Sequence, residues 1–196
     1  MNPPGNFAAT LFLRPNCDAQ DAALRSFTAA YALYQTLALS AQDNALALKW
    51  PNDVLLNGGK VAGILLESSG QSTRVDWISI GIGVNLLSAP SAGEVETGAV
   101  IPVSVHEETG QTIAPEEFLA FLAGHFASLE EVFQKFGFDP IRRLWLKQAA
   151  RLGEVITART SQDEITGTFE TIDDTGQLVL RTAKGQVHVA AADVFF

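Results

Sequence analysis

The chain has 196 residues, of which 47% are hydrophobic and 18% charged, and its formal net charge is −9 at pH 7. This composition is typical of a folded domain with a sizeable core and excludes intrinsic disorder. No apolar run is long enough for a membrane helix, so no membrane partner is expected. The acidic balance argues against nucleic acid as a partner, because phosphate binding needs clustered Lys and Arg.

Targeting and metal signals are weak. The N-terminal apolar run has no basic residues before it, and Arg14-Pro15 stands where a cleavage site would be expected, so we predict a cytoplasmic protein. The single cysteine, Cys17, cannot form an internal disulfide. The three histidines are far apart in sequence, and we predict no protein-bound structural metal.

The first half of the chain alternates strand and helix patterns. An amphipathic helix is predicted after a possible N-cap at Asp18, with apolar residues at steps of three and four. A hairpin is predicted across Asn57-Gly58-Gly59. The predicted strands cover residues 6–13, 45–50, 54–56, 60–67 and 75–87, and residues 88–111 read as an irregular surface segment.

The second half begins with two helices and ends in short strands. The first helix starts at Pro115, and its predicted inner stripe is Leu119, Leu122, Phe126, Leu129, Phe133 and Phe136. Asp139-Pro140 begins a shorter helix. From Gly153, four short alternating segments predict a small antiparallel barrel of about SH3 size. We therefore predict an α+β fold: a mixed sheet with helices mainly on one face (residues 1–150), then an SH3-like barrel (residues 151–196).

Lys60 and three glycines are the candidate site residues. Lys60 opens the strand KVAGILLE, and strict alternation would place it on the face of Ala62, Ile64 and Leu66. A lysine there could simply protect a hairpin edge from pairing. However, glycines inside strands usually mark a bulge or a close approach by a ligand. Gly63 with Gly81 and Gly83 of the next strand could form a slot for a flat ligand, with Lys60 at one end and Asn85 at another.

Familiar nucleotide and nucleophile motifs are missing from these segments. The stretch GIGVN lacks the third glycine and the following helix of a dinucleotide fingerprint. Gly59-Lys60 is not followed by Ser or Thr, as a Walker loop would require. No residue near these segments would activate a serine or cysteine nucleophile. Any nucleotide site here must be of another kind.

Three motifs, in order, resemble those of biotin protein ligases: KWPND at residues 49–53, GKVAGIL at residues 59–65 and GIGVNL at residues 81–86. The resemblance extends to the PPGN entry and to the closing SH3-like segment, so it covers essentially the whole chain. It implies an enzyme that uses ATP and Mg²⁺ to convert biotin to biotinyl-5′-AMP. The biotin would then pass to a lysine of a biotin carboxyl carrier domain.

The resemblance also implies roles for particular residues. Lys60 matches the catalytic lysine that contacts the biotin carboxylate and the adenylate, and its role would be electrostatic. Gly63 and Gly81 match positions where backbone meets biotin. The polar residues expected near the adenylate or ATP are Asn52, Asp53 and Asn85. The sequence permits a homodimer through sheet edges but does not require one.

One family motif, a Gly-Arg-rich loop before the first strand, is absent from this sequence, which starts MNPP. We expect either a fragment of a longer protein or a short form with impaired activity, and the intact downstream motifs favour a fragment. Two alternatives remain open. The chain could resemble a lipoate or octanoyl ligase, although KWPND favours biotin, or it could be a non-catalytic module that binds biotin or the carrier.

Overall fold

The computed structural model describes residues 3–41, 45–71, 74–91, 100–160 and 163–196. Two five-stranded antiparallel sheets and five helices make up this part of the chain. In chain order the elements are β1 (Phe7–Leu13), α1 (Ala19–Ala23), α2 (Arg25–Leu37), β2 (Leu46–Lys49), β3 (Asp53–Leu56), β4 (Gly59–Gln71), β5 (Arg74–Val84), α3 (Val105–Thr109), α4 (Pro115–Phe136), α5 (Phe138–Lys147), β6 (Val155–Arg159), β7 (Glu164–Ile172), β8 (Leu178–Thr182), β9 (Gly185–Val189) and β10 (Asp193–Phe195).

The first sheet has the strand order β1-β5-β4-β3-β2, and its inner face is covered by helices. Alternation along β5 puts Ile78, Ile80 and Ile82 in the core, while Gly81 and Gly83 lie on the opposite, open face. The predicted α+β fold is confirmed. All pairings between the named strands of this sheet are antiparallel, and parallel pairing is confined to isolated bridges.

Local signals account for several helix and turn boundaries. Asp18 is the N-cap of α1, as predicted, and its carboxylate accepts a hydrogen bond from the Asp21 N–H at 2.8 Å. Asn57 and Gly58 both adopt positive φ between β3 and β4, which matches the predicted Asn-Gly hairpin turn. No helix in the described part of the chain is both long and apolar enough to span a membrane.

Three predictions about elements were wrong in part. Leu119 and Phe136 are exposed, by 42% and 61%, and Phe118 is buried in their place. The predicted apolar stripe differs from the buried face at its two ends, because steps of three and four only approximate the helical repeat of 3.6 residues. Within residues 88–111, α3 forms with Ser104 as its N-cap, and residues 92–99 of that segment lie outside the described residues. The final barrel segment contains two strands, β9 and β10.

The second sheet, ordered β10-β6-β7-β8-β9, contains a tightly bonded turn between β7 and β8. One carboxylate oxygen of Asp173 accepts hydrogen bonds from the Thr175 N–H and hydroxyl and from the Gln177 N–H, at 2.8–2.9 Å. The other oxygen lies 2.7 Å from His188 Nδ1. Burial raises the pKa of Asp173, but the hydrogen bonds from His188, Thr175 and Gln177 outweigh it and hold this pKa below its usual value.

Asp173→Ala is expected to lower the free energy of unfolding by about 2 kcal/mol at pH 7, because it removes several hydrogen bonds to a charged acceptor. The folded-state pKa of Asp173 is lowered, so its stabilisation is present above the unfolded-state pKa and is lost as pH falls through the folded-state value. Urea unfolding at neutral and acidic pH measures both effects. The exposed neighbour Asp174, changed to Ala, is the control. Equal losses in the two variants would contradict this role of Asp173.

Candidate active site

A cavity of about 480 Å³ lies on the open face of the first sheet. Its floor and sides come from the β2–β3 corner, β4, the end of β5, the segment around Pro102 and the last barrel strand. The residues that line it are Lys49, Asp53, Lys60, Ala62, Gly63, Gly83, Val84, Asn85, Pro90, Val100, Pro102, Asp193, Val194 and Phe195. Polar and glycine positions from the central motifs therefore meet at one place.

A β-bulge turns Lys60 toward this cavity. The pairing of β3 with β4 passes from Leu55–Lys60 to Val54–Ala62, so Val61 is an extra residue on β4. Residues paired directly across strands share a face, which puts Lys60 on the face of Leu55 and not that of Ala62. Strict alternation therefore predicted the wrong face for Lys60. The bulge explains the difference, because one extra residue reverses the side on which each earlier residue points.

Asp53 joins two lysines at the edge of the cavity. Lys60 Nζ lies 2.6 Å from Asp53 Oδ1, and Lys49 Nζ lies 3.7 Å from Asp53 Oδ2. The side chains of Lys49 and Asp53 are only 10% and 11% exposed, whereas that of Lys60 is 42% exposed. With all three groups ionised the cluster carries one net positive charge, and Lys60 is its accessible end.

Burial lowers the pKa of Lys49 below its ordinary value, and nearby Lys60 acts in the same direction, while Asp53 and Asp193 oppose the shift. A lysine amine largely removed from water is harder to charge, because the ammonium loses its hydration. The folded chain therefore carries an electrostatic penalty at the site for keeping Lys49 protonated. Lys49 belongs to the KWPND motif, but the sequence did not predict that it lies in the site.

Lys49→Met is expected to unfold at an equal or higher urea concentration than the parent near pH 7. The folded-state pKa of Lys49 is lowered, so the unfolded chain binds this proton more strongly and the parent gains stability as pH rises between the two pKa values. The advantage of the variant should therefore shrink from pH 7 to pH 10. Urea titrations across this range measure it, and a difference that stays constant with pH would contradict the assignment.

Paired glycines form the floor of the cavity. Gly63 on β4 is paired with Gly83 on β5, so neither strand places a side chain over this point. A Cβ added at Gly83 would have nothing within 4 Å, and one added at Gly63 would lie 3.4 Å from Lys60 Cε. The floor is thus bare backbone that borders the accessible ammonium.

The other candidate residues lie at different depths. Asn85 lines the cavity, and its side-chain amide donates to the Val103 carbonyl at 3.0 Å. Asn52 instead donates its amide to the Ile64 carbonyl at 2.6 Å, bracing the corner to β4, and it is not a lining residue. Gly81 lies on the same open face as Gly83, opposite Leu65, just beyond the cavity lining.

Lining residues from the barrel could not be assigned to the site from the sequence. Asp193, Val194 and Phe195 of β10 line the cavity, although they lie about 140 residues after Asp53. These three residues reach the cavity because of how the second sheet packs, and no local sequence pattern predicts that packing. Gly83 was among the expected slot glycines, and its register opposite Gly63 gives it a more direct place than Gly81.

No three His, Cys, Asp or Glu side chains cluster as a metal site within the described ranges. Asp53 and Asp193 are the carboxylates of the cavity lining. Mg²⁺ usually keeps several waters and binds through one or two carboxylates together with substrate phosphates. These donors fit an ion that arrives with a nucleotide.

Sequence comparisons agree with the geometry. Residues 1–85 match the model of the biotin/lipoate A/B protein ligase family, and residues 152–196 match the biotin protein ligase C terminal domain. A biotin--[acetyl-CoA-carboxylase] ligase from Paracoccus denitrificans is 57% identical over 195 residues, which cover 99% of this chain and 81% of the relative. The chain belongs to the biotin protein ligase family. The bifunctional ligase/repressor BirA of Bacillus subtilis is 32% identical over 94% of this chain, which spans 56% of that relative.

Solved biotin protein ligases share the fold. The enzyme from Aquifex aeolicus superposes with a TM-score of 0.82 at 20% identity, covering 97% of this chain and 82% of that one. A structure of the same Aquifex protein in complex with biotin and ATP gives a TM-score of 0.77 at 19% identity, covering 97% and 77%. The predicted α+β sheet followed by a small barrel is therefore the biotin protein ligase architecture.

Proposed function

We propose that the chain is an ATP-dependent biotin ligase that forms biotinyl-5′-AMP and passes biotin to a lysine of a biotin carboxyl carrier domain. The observation that carries this proposal is the Lys49–Asp53–Lys60 cluster beside the Gly63–Gly83 floor. It occurs in a chain 57% identical to a biotin--[acetyl-CoA-carboxylase] ligase. Residues 1–150 would form the catalytic part and residues 151–196 the barrel that closes one side of the site.

The first step must bring two anions together. A carboxylate oxygen of biotin forms a bond to the α-phosphorus of ATP, and the bond from that phosphorus to the leaving pyrophosphate breaks. The biotin carboxylate and the ATP phosphates repel each other as they approach. Negative charge then accumulates on the phosphoryl oxygens. Lys60 is suited to this step because its ammonium, which contacts Asp53 at 2.6 Å, carries three donors, and its side chain is partly exposed to the cavity.

Asp53 and Lys49 would hold Lys60 in place. The short contact of Asp53 with Lys60 fixes the direction of the ammonium, and buried Lys49 offsets the negative charge of Asp53. Gly63 and Gly81 would let biotin lie against backbone, with Gly83 added to this surface on its position in the cavity. The residues proposed for the adenylate side are Asn52, Asp53 and Asn85. Asn52 would act indirectly, through its hydrogen bond to the Ile64 carbonyl, whereas Asn85 lines the cavity itself.

Mg²⁺ would offset the charge of the ATP phosphates when bound, and Asp193, the lining carboxylate outside the lysine cluster, is the residue that would hold it. The second step is an attack by the lysine amine of the carrier on the activated carbonyl, which releases AMP. The chain must exclude water from the mixed anhydride until then, because hydrolysis would waste it. Val194 and Phe195 supply apolar cover on the barrel side of the cavity.

The test uses the purified chain with labelled biotin, Mg-ATP and a biotin carboxyl carrier domain. Pyrophosphate release that depends on biotin, followed by label on the carrier lysine, is the expected result. Release that depends on lipoate or octanoate but not on biotin would support the alternative ligase. Biotin binding in calorimetry without any pyrophosphate release would reduce the site to a binding module.

A further inference from the structure

Trp50 connects the catalytic corner to the barrel. Its indole Nε1–H donates a hydrogen bond to the Gly176 carbonyl at 3.1 Å, across 126 positions of sequence. The side chain is buried, and Asp53 follows it by three residues. Residues 173–176, which we call the docking turn, are therefore attached directly to the segment that carries the lysine-bound carboxylate.

The backbone conformation of Gly176 and its lack of a side chain both suit this contact. Its φ is +83°, which favours glycine, and an added Cβ would lie 3.0 Å from both Leu24 Cδ2 and Phe27 Cε2. The docking turn thus fits closely against the junction of α1 and α2 as well as against Trp50. The hydrogen bonds of Asp173 hold the turn in this form from the barrel side.

The same barrel contributes to the cavity at another point. Asp193, Val194 and Phe195 of β10 line the cavity, and β10 is joined through β6 to β7, the strand that leads into the docking turn. A small sheet moves largely as one body, because its strands share hydrogen bonds and a core. The position of the docking turn therefore affects the position of β10.

We propose that Trp50 is a positioning residue whose hydrogen bond to Gly176 keeps the barrel closed over the cavity and so protects the activated intermediate from water. The proposal rests on the proposed ligase function for its chemical consequence, whereas the contact itself is tested without turnover. Trp50 does not touch the reacting atoms in this scheme. It acts through β10 of the barrel.

The variant Trp50→Phe retains an aromatic ring and loses the N–H. Trp77→Phe is the control, because it makes the same substitution on β5, where the indole stacks on Phe12 of β1. Hydrogen–deuterium exchange should be about fivefold faster in the docking turn and in β10 for Trp50→Phe, with β4 and β5 unchanged. Gly176→Ala should have the same effect by steric conflict with Leu24 and Phe27.

The chemical readout is the ratio of AMP released to biotin transferred. Trp50→Phe should raise this ratio about two- to fivefold, because adenylate is lost to water, while Trp77→Phe leaves it at the parent value. Unchanged barrel exchange in Trp50→Phe, or equal changes in both variants, would overturn the proposal. A parent without biotin-dependent turnover would refute the ligase function, and the exchange data would still decide whether Trp50 holds the barrel.

Discussion

Lys60→Met is expected to slow biotin-dependent pyrophosphate release by about 10²–10³-fold, the usual cost of removing one preorganised group that stabilises developing charge. Its ammonium is the accessible positive end of the cluster that Asp53 joins, and methionine keeps most of its length without the charge. Stability should change little, because the side chain is 42% exposed. Quenched-flow or coupled measurement of pyrophosphate gives the rate, and urea unfolding gives the stability.

The control for this variant is Lys184→Met, an equally conservative change at an exposed lysine between β8 and β9. It should leave the rate at the parent value, which separates a local effect from a general loss of charge. A Lys60→Met rate within about twofold of the parent rate, a difference below 0.5 kcal/mol, would refute the electrostatic role.

Gly83→Val is expected to weaken biotin binding strongly without destabilising the fold. A side chain there meets no atom within 4 Å and projects over the cavity floor, so it competes with the ligand and not with the protein core. Valine also suits a strand better than glycine, which costs about 0.5–1 kcal/mol in a strand interior. We expect a loss of affinity of about 100-fold or more, equivalent to about 2.7 kcal/mol.

Calorimetric titration with biotin and urea unfolding together test this expectation. Ser79→Val is the matched control, because Ser79 lies on the same strand and face, four residues before Gly83 and outside the cavity lining. It should bind biotin as the parent does. Normal biotin affinity in Gly83→Val would show that the Gly63–Gly83 floor is not the ligand surface.

The parts of the fold predicted from the sequence depend on short-range chemistry. Asp18 caps a helix through its own carboxylate, and Asn57-Gly58 supplies the two positive φ angles of the hairpin turn. Glycine inside a strand signals a bare surface whatever lies around it, so Gly63 and Gly83 could be expected to form a slot. The ordered motifs then connected these positions to Lys60.

The remaining features depend on information that is not local. Gly63 signals a bulge or a ligand contact without telling which, and Val61 is compatible with either face of a strand, so KVAGILLE does not place the bulge. Phe195 lines the cavity although it lies far along the chain from Asp53, and the hydrogen bond from Trp50 to the Gly176 carbonyl is equally long in range. Asn52 was expected near the ligand on motif grounds, but its side chain braces the Ile64 carbonyl, a contact that its residue type alone does not predict.

The extra residue at Val61 brings Lys60 and Gly63, three positions apart in sequence, to the same face of β4. If this stretch paired regularly with its length unchanged, the charged amine of Lys60 would enter the hydrocarbon core, so the cost of burying that charge opposes loss of the bulge. Deleting Val61 would instead restore regular pairing and keep Lys60 opposite Leu55, on the cavity side. The face that Lys60 takes is therefore set by the cost of burying its charge as well as by the number of residues in the strand.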